Sequence, residues 1–91
     1  MPKDLIKKLV IKRLEELEGI LIPDLISIPS NYVIGIILPE IKNKYPHENL
    51  DSAHDQALIE LENEGFEVIG NLSLGTYMIK RNLRWKVIFK N

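Results

Sequence analysis

The sequence predicts an α+β domain in which three helices precede a C-terminal antiparallel β-hairpin or three-stranded meander. Three observations carry that expectation. Apolar residues recur at three- and four-residue steps near the N-terminus and again beyond Leu50, which is the period of a helix with one buried face. After Gly65 the pattern changes to short alternating runs rich in Val, Ile, Thr, Tyr and Phe, separated by glycine and asparagine, as strands and turns require. At 91 residues, 45% hydrophobic and 27% charged, the chain has material for a real core, and for one core only.

The first helix is expected between Asp4 and Glu18. Leu5, Ile6, Leu9, Val10, Leu14 and Leu17 form its apolar stripe, Lys7, Lys8, Lys12, Glu15 and Glu16 take the other face, and Gly19 is a natural stop. Lys8, Lys12 and Glu16 make a solvated ladder at four-residue steps, worth roughly tenths of a kcal/mol. Residues 20–28 are β-branched with Pro23 in their midst, which suits an edge strand or strapping loop and excludes a central strand.

Pro29, Ser30 and Asn31 supply helix-start chemistry for a second helix over residues 32–45. The block from Val33 to Leu38 also has the composition of a buried strand, so helix and strand both stay open there, and Pro39 should kink or start whatever helix forms. Asp51 is expected to cap a third helix running through Ala57, Leu58 and Leu61 to Gly65. Strands are expected at residues 66–69, 76–81 and 84–90, with turns at residues 70–75 and around Asn82. On alternation, Trp85, Val87 and Phe89 face the core while Arg84, Lys86 and Lys90 face solvent.

Composition narrows the function. Twelve Lys and Arg against thirteen Asp and Glu leave no basic excess, so nucleic-acid binding needs a local patch. The absence of cysteine rules out disulfides and thiolate zinc sites, and the cytoplasm is the expected compartment. Residues 20–38 are interrupted by Pro23, Asp24, Pro29, Ser30 and Asn31, so they do not make the ~20-residue apolar run of a membrane span.

The stretch Ala57-Leu58-Ile59-Glu60-Leu61-Glu62-Asn63-Glu64-Gly65-Phe66-Glu67-Val68-Ile69 resembles the end of the recognition helix and the first wing strand of winged-helix domains. The order helix, strap, helix, helix, hairpin is similar as well. The resemblance implies a DNA-binding transcriptional regulator whose helix from near Asp51 enters a major groove. At 100° per residue, with Leu50, Ala57, Leu58 and Leu61 inward, the outer face presents Ser52, Asp55, Ile59 and Asn63, with Gln56 at its margin.

On this reading Ser52, Gln56 and Asn63 meet base edges, while Lys80, Arg81, Arg84 and Lys86 hold phosphates. Double-stranded DNA is the expected ligand, and a homodimer through the first helix or residues 20–38 the expected assembly. Asp51, Asp55, Glu60, Glu62 and Glu64 make the third helix anionic, however, and that supports an alternative: a non-catalytic module of the same fold that docks a protein partner. The basic residues have two possible settings. Either residues 70–75 form the wing tip, which returns Lys80 to Arg84 to the far end of the third helix, away from the DNA side the resemblance implies, or that segment is a bulge and the tip is Arg81 to Arg84.

Catalysis is not expected. There is no Ser-His-Asp order, glycine-rich phosphate loop or nucleophile elbow. His47, Glu48, His54 and Asp55 are metal-ligand types, but His47 precedes the helix and His54 falls near its buried side, so no metal or other cofactor is expected and His54 suits a local hydrogen bond. Of the aromatic side chains, Tyr77 is the one expected near the basic residues, with Tyr32, Trp85 and Phe89 in the core.

Overall fold

The computed structural model describes residues 2–20, 26–71 and 75–81. Helix α1 spans Pro2–Glu18, starting two residues before Asp4 because a proline in the first turn surrenders only an N–H that has no intrahelical acceptor. Ile6, Val10 and Leu14 are its buried residues, at the four-residue step that stacks side chains on one helix face. Strand β1 is short, Ser27–Pro29. Pro29, expected among the helix-start residues, closes this strand in extended backbone.

A continuous helical run follows, here named α2. It comprises an α-helical turn Ser30–Tyr32, a π-helical turn Val33–Ile37 and an α-helix Leu38–Lys44. The block that could have been a strand is therefore helical, with Val33, Ile37 and Ile41 buried along one side. Pro39 explains the wide turn. Its ring opposes the carbonyl four residues earlier and it has no N–H to donate; the extra residue per turn, in which the Leu38 N–H bonds the Val33 carbonyl, absorbs that missing rung.

Helix α3 spans Leu50–Asn63. Its cap is Asn49 and not the expected Asp51: the Asn49 side-chain oxygen accepts the Asp51 backbone N–H at 3.0 Å. Asp51 instead lies in the first turn, where a carboxylate faces the positive end of the helix dipole. Gly65 takes φ 105°, a left-handed conformation that ends the helix and turns the chain into β2.

Strands β2, Phe66–Asn71, and β3, Thr76–Arg81, are antiparallel neighbours in register from Phe66 opposite Arg81 to Asn71 opposite Thr76. This overturns the placing of the tip at Arg81 to Arg84: the chain reverses between Asn71 and Thr76. The third strand of the sheet is β1, paired antiparallel with β3 through Ser27–Lys80, Ile28–Ile79 and Pro29–Met78, so the order is β1-β3-β2. The strand expected at residues 84–90, with Trp85, Val87 and Phe89, lies outside the described residues.

The described residues thus form an α+β arrangement of three helices on a three-stranded antiparallel sheet. Ile28, Ile79, Tyr77 and Phe66 turn inward from the sheet onto Ile6, Val10, Val33, Ile37, Leu58 and Leu61. Among the described residues no helix is long and apolar enough to cross a membrane.

Two glycines test this backbone from opposite directions. A Cβ on Gly70, which has φ +126°, would lie 2.4 Å from the Thr76 carbonyl oxygen and 2.8 Å from Tyr77 Cα. Gly70→Ala is expected to cost about 2 kcal/mol, from strained backbone and a clash between paired strands. At Gly35 an added Cβ meets nothing within 4 Å, so Gly35→Ala should stabilise by roughly 0.5–1 kcal/mol as a helical glycine replaced. Urea denaturation of both variants reads the two signs.

Candidate nucleic-acid interface

Helix α3 exposes Ser52, Asp55, Gln56, Ile59 and Asn63 and buries Ala57, Leu58 and Leu61, as its wheel predicts. Its direction relative to the sheet follows from two contacts. His54, near the start of α3, meets Tyr77, the second residue of β3. At the other end the chain leaves α3 through Gly65 into Phe66, which pairs with Arg81, the last residue of β3. Helix and strand therefore run the same way. Ser52 and Gln56 lie toward the hairpin connection, and Asn63, about 16 Å along the helix from Ser52, lies toward Lys80 and Arg81.

The expected site residues are thereby divided. Ser52 and Gln56 share one end of the molecule with the hairpin reversal, while Lys80, half-buried between Ser27 and Glu67, belongs to the opposite end with Arg81. Arg84 and Lys86 lie outside the described residues. Basic side chains that the sequence did not single out stand nearer the start of α3. Lys42 and Lys44 occupy the last turn of α2 and are exposed, and Lys42 Nζ donates to the Glu48 carbonyl at 3.2 Å, against the loop that leads into α3. The signal was a lysine in the last turn of α2 before Pro46, but it pointed to a site only once the loop folded Lys42 beside Glu48, next to the Asn49 cap.

The anionic character of α3 is also partly cancelled. Lys3 Nζ lies 2.6 Å from Glu60 Oε2, Lys7 Nζ lies 3.0 Å from Glu60 Oε1, and Lys7 also pairs with Glu64. The hydrogen bond from Lys3, with that from Lys7, holds the Glu60 carboxyl below its ordinary range, and both lysines are raised in turn, Lys3 by Glu60 and Lys7 by Glu64 and then Glu60. A carboxylate with a lowered pKa stabilises the fold above its ordinary titration range and loses that contribution as pH falls through the lowered value. Asp51, Asp55 and Glu62 remain exposed on α3.

Tyr77 is not a stacking surface beside the basic residues. It is 4% exposed because alternation along β3 turns Tyr77 and Ile79 inward, while Met78 faces out. Its hydroxyl lies 2.6 Å from His54 Nε2, and His54 Nδ1 lies 3.1 Å from Asp55 Oδ1. In a neutral imidazole with Nδ1–H donating to Asp55, Nε2 accepts the phenol O–H, and both ring nitrogens are satisfied. The link ties the first half of α3 to β3. Among the described residues no three His, Asp or Glu side chains gather as a metal site, and His47 sits apart in the exposed loop. No family model, curated protein or solved structure matches this chain.

Burial, with a smaller contribution from Asp55, pushes the Tyr77 phenol up to about 12. A raised phenol pKa means stability that is intact below about pH 10 and is lost as pH climbs through the raised value. Tyr77→Phe is expected to remove the phenolate absorbance step near pH 12. It should also lower neutral-pH stability by about 1 kcal/mol, the net worth of one hydrogen bond whose imidazole partner is left half-buried. Ultraviolet titration and urea denaturation read the two effects, and a Tyr77→Phe protein that keeps the alkaline step contradicts the assignment.

Proposed function

We propose that the chain is a winged-helix DNA-binding protein, a transcriptional regulator that offers the first half of α3 to a duplex major groove. The observation that carries this reading is the common end shared by the exposed Ser52 and Gln56 and the reversal between β2 and β3, which brings a polar helix face and a hairpin to one surface. The element order and the β1-β3-β2 sheet agree with the family that the stretch from Ala57 to Ile69 resembles. Lys42 supplies positive charge beside that surface through its contact with the loop before α3, and the pairing of Glu60 and Glu64 with Lys3 and Lys7 reduces the repulsion of phosphate by the helix.

A second reading rests on Ile59, which is 55% exposed in the middle of the outer face of α3 and is flanked by Asp55 and Glu62. An apolar centre with a polar rim suits a protein partner. The expected homodimer contact, in turn, would draw on the exposed Ile20, Ile34 and Ile36, and sedimentation equilibrium tests it.

Fluorescence anisotropy with a mixed-sequence duplex at several salt concentrations separates DNA binding from docking. DNA binding predicts a linear fall of log affinity with log salt, and Lys42→Ala should flatten that slope by roughly 0.9, the contribution of one phosphate no longer neutralised. Lys80→Ala with Arg81→Ala measures the contribution of the opposite end. Gln56→Ala should alter sequence preference and leave the slope alone. Absence of duplex binding at low salt removes the DNA reading and favours docking through Ile59.

A further inference from the structure

The junction of α1, β1 and α2 forms an open groove of about 410 Å³, a volume within the range of small-molecule sites. Leu17, Ile28, Pro29 and Ile36 make its walls apolar, and Ser27 and Asn31 add a hydroxyl and an amide. Among the described residues Arg13 is the one charged side chain in the lining. Its guanidinium carbon stands 5.2 Å from the centroid of the Tyr32 ring, close enough for a cation–π contact that fixes the plane of the group. Glu16 forms a loose ion pair with it at 3.9 Å, too long for a hydrogen bond, so the charge is partly offset while the guanidinium N–H groups keep donor capacity. A permanently charged, oriented fork of N–H donors therefore stands over an apolar hollow.

A second observation concerns the wall opposite. Ile36, in the π-helical turn Val33–Ile37 that Pro39 accounts for, keeps 53% of its surface open. We propose that this cleft binds a small monocarboxylate with an apolar body, its carboxylate on the Arg13 fork and its body against Pro29 and Ile36. One cation matches one negative charge. A phosphate monoester dianion would call for a second basic group, and a nucleobase for a free aromatic face, whereas the face of Tyr32 is already covered by Arg13. The site is independent of α3 and stands whether or not the chain binds DNA.

The test uses 1-naphthoate and its neutral counterpart 1-naphthalenemethanol as probes, followed by amide NMR and calorimetry on the full chain. Expected are saturable shifts at Ser27, Asn31 and Ile36 with naphthoate, and affinity for the alcohol at least about tenfold weaker, as the loss of charge-assisted hydrogen bonds requires. Arg13→Gln should weaken naphthoate binding by about tenfold or more and leave the alcohol unchanged. Ile36→Asp, at an exposed position, removes apolar wall for both probes and adds a like charge for the acid, so it should weaken naphthoate several-fold more than the alcohol; it decides the matter if Arg13→Gln fails to fold. Equal affinity for acid and alcohol, wild-type affinity in a folded Arg13→Gln, shifts confined to another surface, or no saturation at millimolar naphthoate would each overturn the proposal.

Discussion

The structure depends on β3 being paired along both of its edges. Ile79 stands between Ile28 of β1 and Val68 of β2, and the three form a β-branched row across the inner face of the sheet. Partners this far apart in sequence close a long loop, an entropic cost that local helix formation does not carry. What offsets it is burial: Ile79 is fully enclosed and Ile28 nearly so, and α1, α2 and α3 pack their stripes around them. Without the β1–β3 pairing the stripes of Ile6, Val10 and Val33 would have no common surface to cover.

Charge acts at a second level, after packing has set positions. Glu60 belongs to the later half of α3 and is far from the N-terminus along the chain, yet in space it faces the first turns of α1, where Lys3 and Lys7 reach it. These groups are exposed enough for water and salt to screen them, so their value to stability is modest. Their effect on the surface is larger. They turn the end of α3 from an anionic tip into a mixed patch, while Asp51, Asp55 and Glu62 stay exposed along the helix.

The His54–Tyr77 link works differently because it is half sheltered. A phenol 4% exposed must find an acceptor or leave a polar atom stranded, and the imidazole supplies it from a helix whose other side faces solvent. The orientation of the exposed Ser52 and Gln56 relative to the hairpin is thereby coupled to the core. On the other side of the molecule, the widened turn of α2 and the Arg13–Tyr32 contact shape a cleft from residues that the core leaves uncovered.

Periodicity determined the helices, the hairpin, the inward face of α3 and the outward face of Ser52, Gln56, Ile59 and Asn63, because each of these is written in spacings of two to four residues that local backbone geometry reads directly. It also foretold that His54 would take a local partner. It left open the state of Val33 to Leu38 and misassigned the cap of α3, since β-branched composition serves strands and buried helices alike and Asn49 and Asp51 are equally good caps. Tertiary structure alone decided that β1 completes the sheet, that Tyr77 is enclosed, that Lys80 and Arg81 lie at the end away from the reversal, and that Lys3 and Lys7 answer Glu60 and Glu64. Each of these joins residues distant in the chain, and such pairings are selected by which surfaces can be buried together, a property of the packed whole that no local window contains.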